Sequence, residues 1–469
     1  MNENLPADLR LPAAVIAARA AAMASRALGR GGGSTIPGVV ARRVCPRVLR
    51  ELSSRLPEGA VAITGTNGKT TTTRMVAEIL RVAGIRAVNN STGANLITGV
   101  TAALVSDAGL LGRPRSGLGL FEVDEASVPK VAAEAGLRVL AVLNLFRDQL
   151  DRYGELAYTA KVIASSFEHL PAGGSVVLDA DDPLVASLGR SAGKAVYYGV
   201  EDQRLDTGRL EHIADSSDCP VCGRYLDYEA VYMGHVGLYR CAGCGFSRPG
   251  VRYRASRVVL EGSRGTRFLL GTPSGEREVR IRLPGLYNVY NALAAAAVAG
   301  EVGVGFGDIT RGLESFRGAF GRVERVRAAD REVFLLLIKN PVGFDEILRT
   351  FMLSGEATHV LIAINDNDAD GRDVSWLWDV NFEMLRDVRE GLPPFRVSGI
   401  RAHDMAVRLK YADLPVGEVV PDRREALKKA LGATPPGETL YVLPTYTAML
   451  EIRKALSDMG YTHPFWEDR

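Results

Sequence analysis

Along most of the chain, short uninterrupted apolar runs alternate with longer stretches whose apolar positions recur at helical spacing. The first kind reads as buried strand, the second as amphipathic helix. The stretch GAVAITGTNGKTTTTRMVAEILRVAG gives the unit. Val61, Ala62 and Ile63 form a short strand, a Gly-containing polar loop follows, and a helix runs from Thr70 onward. GLGLFEV, LRVLAVLNL and GGSVVLDADD are further apolar runs set between helical patterns. Such alternation predicts an α/β domain with a mostly parallel sheet and helices on both faces. Ligands of such sheets gather at the carboxyl ends of the strands. The polar groups GTNGKT, EVDE and NLFRD each follow a strand and fall at that edge.

The pattern changes at both ends of this block. LPAAVIAARAAAMASRALGR has the period of an amphipathic helix, but Arg19, Arg26 and Arg30 interrupt it and make it a poor signal-peptide core. A helix packed on the protein and a helix lying on a membrane surface both fit it. RGGGSTIPG is a turn-rich break. Farther on come strand-like RFLLGT and REVRIRLPG, then a strong helix, LYNVYNALAAAAVAGEVG. A second α/β block starts near Phe316 and carries VFLLLIKN, THVLIAIND and GETLYVLPT. The expected division is an N-terminal helical segment over residues 1–55, a nucleotide-binding domain over 56–315 with an insert at about 215–250, and a smaller α/β domain over 316–469.

Composition narrows the class. With 469 residues, 46% hydrophobic and 24% charged, the chain can bury sizeable cores without covalent staples. A formal net charge of +2 gives no electrostatic case for nucleic acid as a partner. Lysine is scarce, nine among the 57 Lys and Arg, so a lysine in a polar loop stands out. No apolar run reaches the roughly 18 uncharged residues of a membrane span. The cytoplasm is the expected compartment, and there paired cysteines bind metal more often than they form disulfides.

Three motifs carry chemistry. In TGTNGKTTTT, successive backbone N–H groups and a helix N-terminus make a phosphate cradle, Lys69 can reach the terminal phosphates, and Thr70 can offer a hydroxyl to magnesium. The full P-loop pattern has a Gly where this chain has Ile63, so the loop is a variant. The second motif is two C-x-x-C pairs, Cys219/Cys222 and Cys241/Cys244, at the spacing of a tetrahedral zinc site. A Gly after each second cysteine suits a zinc knuckle, and four thiolates leave no open position, so the expected zinc is structural. Cys45 stands apart as a small buried hydrophobe. The third motif is INDNDADGRDVSWLWD, which crowds carboxylate and amide side chains from Asn365 to Asp370 at a strand end, with Asp373 and Asp379 following. Trp376 and Trp378 beside it favour a fixed loop over a solvated one.

GTNGKTTT resembles the phosphate loop of the Mur ligases and folylpolyglutamate synthases. FEVDEA, NLFRDQLDRYGE, LDADDP, LPGLYNVYNALAA and FGRVER resemble further family segments in the same order. The four-Cys insert, together with IKNPVGFDE, NDNDADGRDVSWLWD, SGIRAHDMAVRLKYA and LPTYTAML, resembles the MurT branch of that family. The resemblance implies a Mur-ligase-like central ATPase domain with an inserted zinc ribbon and a smaller C-terminal ligase domain. It implies ATP contacts at Thr66, Asn67, Gly68, Lys69, Thr70, Thr71, Asn288, Arg322 and Lys339, and magnesium on Thr70 and Glu122. This chain departs from the family pattern in places: Gln149 replaces a family His, Tyr287 replaces another, and Leu337 stands where an Asp often faces ribose. Lys161 is the nearest candidate for the family's carbamoylated Lys, at a shorter spacing than in some members.

The implied activity is ATP-dependent amidation of the D-glutamate α-carboxylate of the lipid II stem peptide, through an acyl phosphate, at the inner face of the cell membrane. The resemblance further implies that ammonia comes from a GatD-type glutamine amidotransferase partner. Separately, no cysteine of this chain sits in a glutaminase-like nucleophile setting, so a nitrogen source outside this chain is expected. Asp373 is the candidate for the ammonia-side carboxylate, with Asp366 and Asp370 as alternates. A stand-alone amino-acid ligase is the nearest rival. A zinc-ribbon nucleic-acid module is the more distant one, and residues 218–245 hold only Arg224 and Arg240 as strong bases against it.

Overall fold

The computed structural model describes residues 7–27, 35–90, 94–146, 156–208, 217–317 and 323–462. Gln149 and Arg322 lie outside these residues. The first strands are β1 (Ala60–Thr64), β2 (Ala87–Asn89), β3 (Leu118–Glu122), β4 (Leu137–Val142), β5 (Ser175–Asp179) and β6 (Ala195–Val200). A hairpin of β7 (Asp227–Met233) and β8 (Val236–Arg240) follows, then β9 (Tyr253–Leu260), β10 (Thr266–Thr272) and β11 (Gly275–Ile281). Among the described residues these give a nine-stranded sheet of order β11-β10-β9-β6-β5-β4-β1-β3-β2, with β7 and β8 forming a separate two-stranded sheet. The sheet is parallel from β2 to β9, and β10 is antiparallel to both its neighbours.

The strand period of two sorts side chains onto two faces. Val61 and Ile63 of β1, with Val139 and Ala141 of β4, join the core under helices Lys69–Val82 and Leu286–Val302. Ala60 and Ala62, with Leu140 and Val142, join the opposite core. Leu11, Ala14, Val15 and Ala18 of the N-terminal helix Ala7–Ala27 are buried in that second core beside Val100 and Leu104. Of the two readings of this helix, it is the one packed on the protein.

The second sheet has six strands: β12 (Val323–Ala328), β13 (Arg331–Leu336), β14 (His359–Ala363), β15 (Phe395–Ser398), β16 (Val416–Val419) and β17 (Thr439–Pro444). Their order is β12-β13-β17-β14-β15-β16, parallel except for β12 against β13. The segments that follow β13, β14 and β17 therefore leave the sheet at one edge. Those segments carry Lys339, the acidic loop and Thr445–Thr447. Buried Arg453 joins this domain's last helix, Tyr446–Asp458, to Glu324 at 3.0 Å.

Candidate active site

The phosphate loop is built by β1 and the helix that follows it. That helix starts at Lys69, one residue before the sequence pattern places it, and Gly68 precedes it at φ +85°. A Cβ at Gly68 would sit 2.1 Å from Asn291 Oδ1, so only glycine fits this left-handed turn. Asn144, just past β4, holds the loop from the side. Its Oδ1 accepts from Asn67 N at 2.8 Å, and its Nδ2 donates to Asn67 O at 3.1 Å. Thr66 Oγ1 donates to Phe146 O at 3.1 Å and accepts from Phe146 N at 3.0 Å.

Lys69 is buried and already engaged. Its Nζ donates to Gly65 O and lies 2.8 Å from Glu125 Oε1. Parallel register pairs Ile63 with Glu122, which brings Glu122 beside the loop. Asn90 fixes the Glu122 backbone through both its N–H and its carbonyl, at 2.9 and 2.8 Å. Glu122 at the end of β3 and the half-buried Thr70 in the first turn of helix Lys69–Val82 are hard oxygen donors, a donor set that fits magnesium. Glu125 was not singled out from the sequence. The signal lay in EVDEA, but only the turn after β3 decides which carboxylate reaches Lys69.

A cavity opens between the phosphate loop and the second sheet. Asn67, Gly68 and Thr71 line it from one side, Asn288 and Tyr287 from helix Leu286–Val302, and Lys339 and Asn340 from the second domain. Asn288 is buried, donating to Pro284 O at 2.7 Å and accepting from Asn291 Nδ2 at 3.0 Å. Asn340 Nδ2 donates to Asn67 Oδ1 at 2.9 Å, so a hydrogen bond ties the two domains directly across the loop. The enclosed space is about 110 Å³. That volume is below the roughly 300 Å³ at which small-ligand pockets start. Leu337 also lines the cavity, whereas Lys161 is exposed and does not. Asp179 lines it as well, and burial together with Asp181 and Asp182 raises its carboxyl well above the usual range.

The acidic loop after β14 is fixed, and its aspartates divide the work. Asp370 is buried and accepts from Thr447 N at 2.7 Å and from the Thr447 hydroxyl. Asn365 and Asn367 each donate to Thr447 Oγ1, at 2.9 and 2.8 Å. Asp366 pairs with Arg401 at 3.1 Å. Asp373 is exposed and accepts from Ser375 N at 2.8 Å, where the turn Ser375–Trp378 begins. That donation holds its carboxyl below the usual range. The tryptophans bury less than expected. Trp376 is half-buried, and Trp378 is 52% exposed because it lies against Arg408 and the edge of Tyr411 rather than in the core.

The four insert cysteines converge. Their sulfurs all lie within 4.8 Å of one another. Cys219 and Cys244 Sγ are 3.6 Å apart, and Cys222 and Cys241 Sγ 3.5 Å. Sulfurs around a tetrahedral zinc, each about 2.3 Å from the metal, sit near this separation. A disulfide would need about 2.05 Å. Each turn has knuckle geometry, with Gly223 N donating to Cys219 O at 2.8 Å and Gly245 N to Cys241 O at 3.0 Å. Gly223 and Gly245 take φ +73° and +77°. N–H groups of Cys244 and Gly243 point at the Cys241 sulfur and bring its thiol down to about 7, while burial pushes Cys219 up to about 12. The set fits zinc. Cys45 is buried elsewhere, in the N-terminal core.

Comparison with known proteins agrees with this geometry. The model of the Mur ligase middle domain matches residues 63–239, within the nine-stranded sheet and its insert, and that of the MurT ligase C-terminal region matches 337–449, within the second domain. The Staphylococcus aureus lipid II isoglutaminyl synthase (glutamine-hydrolyzing) subunit MurT is 33% identical over 445 residues, covering 95% of this chain and 97% of that protein. The Streptococcus pneumoniae subunit of the same name is 32% identical over 452 residues, covering 96% and 98%. Among solved structures, a pseudomurein peptide ligase type C from Methanothermus fervidus superposes with a TM-score of 0.68 at 26% identity, over 87% of this chain and 80% of that one. MurF from Acinetobacter baumannii, at 18% identity and TM-score 0.65 over 91% and 80%, shares the fold. With relatives matched along nearly their whole length, this chain belongs to the MurT family of Mur-ligase-type enzymes.

Proposed function

We propose that the chain is the ligase subunit of a glutamine-dependent amidating enzyme that converts the D-glutamate α-carboxylate of the lipid II stem peptide to D-isoglutamine. One observation carries the reading: a Mur-type phosphate loop faces, across one cavity, the strand-end segments of a MurT-type C-terminal domain. ATP binds with its phosphates on the N–H groups from Thr66 to Thr71 and its adenine side toward Asn288. Lys69 exchanges Glu125 and the loop carbonyls for phosphate oxygens, Lys339 meets the phosphates from the other side, and the family resemblance assigns Arg322 to phosphate as well. Thr70 and Glu122 would hold magnesium, which would supply neutralisation of the phosphate charge.

A substrate carboxylate oxygen attacks the γ-phosphorus. The bond to the bridging oxygen breaks, ADP leaves, and an acyl phosphate forms. Ammonia nitrogen then attacks the acyl carbon, the ammonium-like adduct gives a proton to a carboxylate, and phosphate departs with the carbon–oxygen bond's electrons. Asp373 is the carboxylate we assign to that proton. It is exposed, sits in the loop that leaves β14 at the edge where the Lys339 segment leaves β13, and accepts from Ser375 N, which favours the charged form that holds ammonium. The glutamine-hydrolyzing wording of the relatives' names supports a GatD-type glutamine amidotransferase as the nitrogen source. Among the described residues no helix is long and apolar enough to cross a membrane, so the lipid substrate would be met at the cytoplasmic membrane face without a span from those residues.

The test incubates the purified chain with ATP, magnesium, ammonium and lipid II. The expected product carries one NH2 in place of OH, and glutamine replaces ammonium once the partner glutaminase is added. A product heavier by an amino-acid residue refutes amidation and selects a stand-alone ligase.

A further inference from the structure

The zinc-bound insert does not stand apart from the nucleotide site. Ala230, Tyr232, Met233 and Val236 of the β7–β8 hairpin are buried in the core that also holds Phe146 and Val342. Met233 and Val236 line the cavity beside the phosphate loop. A Cβ at Gly234, at the hairpin tip, would come within 3.4 Å of Phe146 and 3.6 Å of Val342, so the tip touches both sides of that cavity.

The connection is continuous in both directions. Toward the metal, Tyr239 packs with Cys219 and Cys241, and its hydroxyl donates to Ala180 O at 3.0 Å. Gly237 N donates to Asp181 O at 2.9 Å, which pins β8 to the turn after β5. Toward the loop, His235 is fully buried, with its ring 4.8 Å from the ring of Phe146 and its Nε2 3.5 Å from Asp182 Oδ2. Tyr228 donates its hydroxyl to His235 O at 2.8 Å and closes the hairpin over it. Asp182 in turn accepts from Leu145 N at 3.0 Å, and Phe146 makes both of its backbone hydrogen bonds with Thr66 Oγ1. Both ring nitrogens of His235 are buried without a hydrogen-bond partner, a placement that costs free energy and that the surrounding packing must offset.

We propose that the zinc-held hairpin is a positioning element for the nucleotide: Met233 and Val236 wall its pocket, and His235 sets Phe146 and, through it, Thr66 of the phosphate loop. The inference rests on the ATP-binding reading above. Its test measures binding of a non-hydrolysable ATP analogue with magnesium to the zinc-loaded chain by calorimetry, for wild type, His235→Ala, Met233→Ala and Met233→Leu. Zinc content, Tm and the separate KM values for ATP and lipid II are read alongside. His235→Ala and Met233→Ala are expected to keep zinc, raise the analogue Kd and the ATP KM by roughly tenfold, and leave the lipid II KM unchanged; that factor corresponds to about 1.4 kcal/mol. Met233→Leu is expected to bind like wild type. Wild-type affinity in both alanine variants overturns the proposal, as does equal damage from Met233→Leu and Met233→Ala. A wild-type chain that fails to bind the analogue refutes the ATP-binding reading instead.

Discussion

At the residue scale, the acidic loop separates a buried aspartate that holds structure from an exposed one that the proposed mechanism uses. Asp370 is buried against Thr447 and accepts its N–H, so Asp370→Ala strands a buried donor. That change is expected to cost about 1–3 kcal/mol, read as a lowered midpoint in denaturant. Asp373→Asn removes an exposed carboxylate whose recorded partner is its own turn. It is expected to fold with wild-type Tm and zinc content, and to lose amidation with either glutamine or ammonium. Full amidation by that variant removes Asp373 from the mechanism. The sequence marks the loop as chemically dense, but it does not tell these aspartates apart. The reason is physical: the partner that buries Asp370 lies 77 residues away and is brought to it by the pairing of β14 with β17.

At the element scale, the strand–loop–helix unit was legible because its signals are local: an apolar run, a glycine at positive φ, a helix start. Gly68→Ala tests that geometry. The Cβ strains a left-handed turn and meets Asn291, so the variant is expected to lose nucleotide binding while the sheet beneath it stays folded, as measured by calorimetry and circular dichroism. The convergence of the four cysteines in two glycine-closed turns was equally legible from their spacing and the two glycines. Less legible was how far the insert shares the core of the nucleotide domain, since the apolar residues of β7 and β8 look the same whether they pack on each other or on Phe146. Cys219→Ser is accordingly expected to lose zinc and lower Tm, and the protein that remains folded is expected to bind the ATP analogue more weakly. Glu125 went unread because EVDEA offers several carboxylates, and only the turn after β3 aims one of them at Lys69.

At the scale of the whole molecule, two sheets meet across the site, and their meeting carries the function. The Asn67–Asn340 hydrogen bond joins the two domains directly beside the phosphate loop. The division into two α/β blocks could be read from the hydrophobic pattern; their contact could not, because it depends on single side chains such as Asn340 that carry no periodic signal. The central claim is that ATP activates the substrate carboxylate as an acyl phosphate before ammonia attacks. Lipid II labelled with heavy oxygen in the D-glutamate α-carboxylate tests it most directly, with the released inorganic phosphate examined by mass spectrometry. The account predicts one labelled oxygen in each phosphate formed with amide product, and unlabelled phosphate alongside full amidation would contradict it.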